Sequence, residues 1–222
     1  MLTDLLEKMG FTLPQHDWQK PVVGVSACLL GQKVRYDGDH QHNAILVHQL
    51  GPLLRFRDTC PEVAIGLPVP RPPIQVVQVD DTLRVKGVDN PQQDVTDALE
   101  DVASRFGEPL SGFVLKARSP SCGHLSTPVH NTTGQQIGMA SGAFARKLHE
   151  LFPRIPLAND SDLEKPAFLQ SFLLQVYCYH QWHHNDHQGQ WLNAMQAQSE
   201  QLDEPLHSGL RHYLDKLGQA MH

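Results

Sequence analysis

Three short stretches in this chain that read as strands each lead to a cysteine, and that recurrence limits the available folds more than any other feature. Pro21-Val-Val-Gly-Val-Ser-Ala-Cys28 is almost wholly apolar, as a strand covered on both faces must be. Phe56-Arg-Asp-Thr-Cys60 reads as a second short strand, stopped by Pro61, whose ring lacks a ladder donor. Gly112-Phe-Val-Leu-Lys116 reads as a third. Pro120 forbids its continuation, and Gly123 frees the backbone just after Cys122. A thiol is therefore presented on a tight loop in Ser119-Pro-Ser-Cys122-Gly123, with Lys116 and Arg118 close by in sequence.

The remaining segments alternate with these strands. Leu2, Leu5, Leu6 and Met9 recur at helical spacing over residues 2–9, and Gly10 ends the run. Gly31 and Arg35-Tyr-Asp-Gly38 predict a polar loop, after which Asn43 caps a helix over 44–55. Residues 66–73 are dominated by turn and breaker types. Residues 75–79 and 82–86 alternate about Asp80-Asp81 and predict a hairpin. A helix from Asp94 or Thr96 to Phe106 buries Val95, Leu99 and Val102. Residues 131–138 read as a loop, 142–151 as a helix, and Ile155-Pro-Leu157 as a last strand. Strands alternating with helices predict an α/β fold with a mostly parallel, Rossmann-like sheet and flanking helices. Beyond Ser161 no strand signal remains, and Phe168, Leu169, Phe172, Leu173 and Val176 form a helical stripe. The expected division is an α/β domain over 1–160 and an all-helical extension over 161–222. That extension is expected to dock on the core or on another subunit and to carry no chemistry.

In a parallel sheet, ligands sit outside the carboxyl ends of the strands. Cys28, Cys60 and Cys122 all fall at such ends and can converge in space, although 32 and 62 residues separate them in sequence. Packing is the ordinary use of a single cysteine, and Cys178, amid a helical tail segment, is read that way. Three at strand ends beside Pro, Gly and polar residues point instead to a site. No CxxC pair occurs, which argues against a zinc ribbon, and no Cys-x5-Arg phosphatase loop is present. Three soft thiolates suit zinc, copper(I) or an iron–sulfur cluster, and leave one metal position open. Either an enzyme, a non-enzymatic iron–sulfur or thiol redox sensor, or a zinc-holding interaction module can be built on them. The net charge of −6 argues against a general nucleic-acid or membrane-surface binder. Asp4, Glu7 and Lys8 make the first ten residues unlike a signal peptide, and a cytoplasmic location is expected. His180, His183, His184 and His187 lie in a polar, Gln-rich stretch and read as solvated surface, with an adventitious metal site as the alternative.

Ser26-Ala-Cys-Leu-Leu-Gly31, Arg35-Tyr-Asp-Gly38, Cys60-Pro-Glu-Val63, Gly66-Leu-Pro with Pro70-Arg-Pro72, and Leu115-Lys-Ala-Arg-Ser-Pro-Ser-Cys-Gly123 together resemble the thiouracil desulfurase (TudS) family. The resemblance runs through five motifs in order, from about residue 21 to 160. Residues 166–182 resemble the opening of a helical accessory domain often fused behind that core; only 62 residues follow residue 160, so that domain would be shortened or replaced here. The resemblance implies non-redox removal of sulfur from thiolated uracils, thiouracil and 4-thiouridine monophosphate included, to the oxo form with release of sulfide. It also implies a [4Fe-4S] cluster on Cys28, Cys60 and Cys122, its fourth iron open to substrate sulfur, with Glu62 and Ser119 as the catalytic pair.

The residues themselves agree with that chemistry. Replacing C=S by C=O needs water to attack the ring carbon and a group to manage protons. Glu62, two residues from Cys60, suits that task; the alternative is a loop carboxylate pairing Arg35 or Arg71. Ser119 either holds water or the substrate's exocyclic atom, or stabilises a turn. Ser121, Lys116, Arg118, Arg35 and Arg71 are candidates for contacts to substrate and its phosphate, although no phosphate-cradling glycine motif is present. The expected partner is a small thionucleobase or thionucleotide, with no polymeric nucleic acid and no membrane.

Overall fold

The central strand β1 (Val22–Ser26) is β-branched on either side of Gly24, and Gly24 is there for a packing reason. A Cβ at that position would collide with the ring of Phe113 on the neighbouring strand, so only glycine lets the two backbones pair with that ring lying over the position. This computed structural model describes residues 1–106 and 110–219; residues 107–109 and 220–222, the end of the expected tail, lie outside the description.

In chain order, α1 (Leu2–Lys8) precedes β1, and β2 (Arg55–Thr59) is followed at once by the short α2 (Pro61–Ala64). Then come β3 (Ile74–Val79), β4 (Thr82–Gly87), α3 (Thr96–Ser104), β5 (Gly112–Leu115), β6 (Thr127–His130) and β7 (Gln136–Ala140). Helix α4 (Ala143–Leu151), β8 (Leu157–Asn159), α5 (Pro166–His183), α6 (Gln188–Ser199) and α7 (Leu206–Gly218) complete the chain. One four-stranded sheet, in the order β2-β1-β5-β8, is parallel at every pairing, as the strand–helix alternation predicts. The register sets Val25 against both Asp58 and Val114.

Five local expectations change. Strand β1 ends at Ser26, and Cys28 sits on a single helical turn, Ala27–Leu30, closed by Gly31 at φ 90°. Pro61 does more than stop β2: it opens α2 at the first helical position, where its missing N–H costs nothing, with Cys60 as the N-cap. The helix expected over 44–55 is a shorter one ending at Leu50, begun by Asn43, whose Oδ1 accepts from the Leu46 N–H at 3.1 Å. The last strand starts after Pro156 rather than before it, since proline cannot donate to the ladder. Most consequentially, the loop expected over 131–138 is confined to 131–135, and residues 136–138 already belong to β7. That loop turns between β6 and β7, an antiparallel hairpin that joins the β3–β4 hairpin in a second sheet, β4-β3-β6-β7. Its pattern was unreadable because β7 is an exposed edge strand and β6 contains Pro128.

Two clusters of buried side chains hold these layers. A small one joins the second sheet to α3 and α4 through Val76, Val85, Val95, Leu99, Val129 and Ala143. The large one runs from β1 and β5 into α5 and α7 without a break. Helix α5 is apolar nearly all round, burying Phe172, Leu173, Leu174, Val176, Tyr177, Cys178 and Trp182, as a helix covered on several sides must. It lies against β5 so closely that a Cβ on Gly112 would stand 2.8 Å from Val176. The Tyr177 hydroxyl donates to the Leu53 carbonyl at 3.0 Å, and the Tyr213 hydroxyl of α7 to that of Arg154 at 2.9 Å. No helix among the described residues is long and apolar enough to cross a membrane.

A helix so embedded is a packing layer of the sheet. Phe172→Ala should therefore destabilise the protein by about 3–5 kcal/mol, the usual cost of emptying a buried aromatic site. Urea unfolding of the variant checks this, and a loss below about 1 kcal/mol would mean that α5 only leans on the sheet.

Candidate functional site

Parallel pairing of β2, β1 and β5 sets their carboxyl ends side by side, and a cavity of about 480 Å³ opens on that edge. Cys28, Cys60 and Cys122 all line it, with Glu62, Ser119, Arg35, Arg71, Lys116 and Arg118. Residues far apart in sequence are thus brought together by the topology the alternation predicts. Cys178 is not among them; it is fully buried in α5.

Each cysteine is carried by a different local device. The Cys28 turn is tied down where its carbonyl accepts the N–H groups of Gly31 and Gln41. Cys60 caps α2, its Sγ 3.8 Å from the Val34 carbonyl. Cys122 rides on a loop seated over the first turn of α4. The N–H groups of Gly142, Ala143 and Ala145 donate to the carbonyls of Gly123, Pro120 and Ser121, at 2.8, 3.1 and 3.2 Å. Helix-start donors that would otherwise lack partners are used there to grip the loop. From the other side, Asn159 accepts the His124 N–H and donates to its carbonyl, both at 2.9 Å. Asp160 accepts from the Ala117 N–H at 2.7 Å and pairs with Lys116 at 2.8 Å.

Glu62 is held from both ends of its carboxylate. Oε2 accepts from Arg71 Nε at 2.7 Å, and Oε1 accepts from the Ser121 hydroxyl at 2.8 Å. Both readings of Glu62 meet here, since it lines the cavity and pairs with Arg71. Ser119 likewise does two things. Its Oγ accepts from the Ser121 and Cys122 N–H groups, at 3.3 and 3.1 Å, which stabilises the turn, and its hydroxyl stands at the cavity wall. Ser121 is placed elsewhere than expected: it does not line the cavity and has no exposed surface. Of the four cations, Arg35 pairs with Asp37 at 3.1 Å, Lys116 with Asp160, and Arg71 with Glu62. Arg118, at φ 62°, has no ion-pair partner among the described residues.

Burial pushes all three cavity thiols up. Cys28 rises to about 11, with the nearby Cys60 adding to the effect and Arg35 and Lys116 opposing it. Cys60 is raised by burial, partly offset by the Val63 N–H at the start of α2. Cys122 is held well above the ordinary thiol range by burial, against a hydrogen bond with Ser26, and is raised further by Cys60, Glu62 and Cys28. Metal-free, the three are neutral thiols near pH 7, so loading a metal releases protons and the group that binds must be strongly thiophilic. Among the described residues, no three His, Cys, Asp or Glu stand close enough to close on one ion. Three soft sulfurs lining one cavity are the donor type that thiophilic metals and iron–sulfur clusters take.

Sequence reasoning missed three contributors. Ser26 receives the Lys116 N–H at 3.0 Å and bonds to Cys122. Asn159 and Asp160 clamp the cysteine loop, and only their place at the end of a strand hinted at it. The histidine stretch also differs in part. His183 and His184 are exposed, as expected of solvated surface, but His180 is half-buried against the Ser111 hydroxyl at 3.1 Å, and burial pushes it down to about 4.

A family model described as 2-thiouracil desulfurase matches residues 23–160. Among solved structures, a [4Fe-4S]-dependent thiouracil desulfidase, TudS, matches with 31% identity and a TM-score of 0.51, over 69% of this chain and 99% of that one. No curated protein matches.

The seating of the cysteine loop on α4 is testable at Gly142, where a Cβ would meet the Pro120 oxygen at 2.5 Å and the Ser121 carbonyl carbon at 2.6 Å. Backbone cannot yield cheaply, so Gly142→Ala should cost about 1–3 kcal/mol and speed modification of Cys122 by a thiol reagent. Unchanged stability and unchanged reactivity would mean that the loop and α4 are not in such close contact.

Proposed function

The chain belongs to the 2-thiouracil desulfurase family, and from that premise we propose that it hydrolyses the C=S group of thiolated uracils, with a [4Fe-4S] cluster on Cys28, Cys60 and Cys122. The observation that carries this reading is the meeting of those three thiols with Glu62 and Ser119 on one cavity. The balanced change is C=S plus water to C=O plus hydrogen sulfide, with no electron gained or lost. When bound, the cluster supplies a thiophilic Lewis-acid iron with one position open to substrate sulfur.

The protein's own groups supply the rest. Glu62, at the cavity wall and two residues from Cys60, takes the proton of the attacking water or returns one to the base nitrogen. Ser119 already accepts two N–H groups, so its own O–H is directed to donate to the exocyclic atom or to water. Both 4-thiouridine monophosphate and free thiouracil suit the cavity chemically. Arg118, with no competing carboxylate among the described residues, is the first choice for a phosphate, and Arg35 and Lys116 stand behind it. The helices after residue 160 are assigned a packing role, consistent with the family match ending there.

Changing Cys28, Cys60 or Cys122 to Ser replaces a soft thiolate by a hard, protonated hydroxyl. Each variant should lose its iron and sulfide, counted after anaerobic purification, and its release of sulfide from thiouracil. Cys178→Ala should keep both, and loss of iron there would point to a closed four-cysteine cluster and a redox-sensing role. Glu62→Gln, which keeps an oxygen for Arg71, should lower turnover about 100- to 10,000-fold while the cluster absorbance persists. Near-normal turnover in that variant would remove Glu62 from the chemistry.

A further inference from the structure

Ser121 makes two contacts that connect the proposed catalytic residues to each other. Its N–H donates to Ser119 Oγ at 3.3 Å, and its hydroxyl donates to Glu62 Oε1 at 2.8 Å. The side chain has no exposed surface and does not reach the cavity, so it is not placed to touch a substrate. Glu62 itself is only 8% exposed. Its carboxylate lies between a donor from the loop of Cys122 and a donor from Arg71, whose Nη1 is spent on the carbonyls of Val34 and Pro68 at 2.9 and 3.3 Å. Arg71 and Ser121 thus reach the two oxygens from separate segments of the chain.

We propose that Ser121 is a positioning residue: it aims the Glu62 carboxylate into the cavity and ties that aim to the loop carrying Cys122 and Ser119. The inference rests on the reading of Glu62 as the proton-handling group. With Arg71 alone, the carboxylate is held at one oxygen and can swing about that contact. With Ser121 as well, its plane is fixed. A buried hydroxyl donated to a carboxylate is a charge-assisted bond, short and directional, which suits such a role. The same serine N–H steadies the turn on which Ser119 sits, so the two catalytic groups share one anchor.

The test is a double-mutant cycle read on cluster-loaded protein, with rates expressed per bound iron. Ser121→Ala should lower kcat about 10- to 100-fold, the cost of a misaimed catalytic group, and leave KM within about twofold. Placed in a Glu62→Gln background, Ser121→Ala should add less than about a twofold loss, because its effect passes through Glu62. Equal losses in both backgrounds, or a loss confined to KM, would overturn the proposal. A second reading needs no turnover. Isotope-edited infrared difference spectra between wild type and Glu62→Gln isolate the Glu62 carboxylate stretch, and Ser121→Ala should shift that band. An unshifted band would equally overturn the proposal, even in a variant that loads cluster poorly. A normal rate in Glu62→Gln would instead sink the role of Glu62, so the two failures are told apart.

Discussion

Everything at this site depends on parallel pairing between β2, β1 and β5. Parallel strands point the same way, so the loops leaving them share an edge, and three loops from adjacent strands must meet. The pairing in turn depends on close packing. Phe113 lies over Gly24, and meets Phe106 and Phe144 edge-to-face at centroid distances of 5.7 and 5.5 Å. Any side chain in place of Gly24 would push β5 away from β1, and with it Cys122 away from Cys28.

Electrostatics then decides what the shared edge can hold. Burial outweighs the nearby cations and keeps the thiols protonated, although four basic side chains and one carboxylate line the cavity of a protein of net charge −6. Three of those cations are already spent on Asp37, Asp160 and Glu62. The buried Arg71–Glu62 pair is only weak evidence for stability, since desolvation offsets its attraction; removing one partner alone would cost about 3–5 kcal/mol. Its plainer consequence is geometric, because it fixes where the carboxylate stands.

The second sheet and the tail helices complete the frame from opposite sides. The second sheet packs on α3 and α4, and α4 is the platform for the cysteine loop. Helix α5 covers the parallel sheet and joins its core to that of α7. The matched solved structure covers 69% of this chain, so this chain carries layers beyond the shared α/β unit.

From the sequence alone, the alternation of strands and helices determined the parallel sheet, and Pro and Gly beside Cys28, Cys60 and Cys122 marked the three strand ends. Those signals are local: a breaker or an apolar run acts within a few residues, and sequence shows it directly. Motif resemblance added Glu62 and Ser119, and both stand at the cavity. What stayed hidden was decided by contacts between distant segments. The hairpin of β6 and β7 has an exposed edge and no alternation to read. Ser121 looked like a second substrate-facing hydroxyl, and only the approach of its loop to α2 turns it toward Glu62. Asn159 and Asp160 carry no motif, yet they clamp the cysteine loop from the end of the neighbouring strand β8. A side chain's type fixes which bonds it can make, and tertiary structure alone decides which partner comes within 3 Å of it.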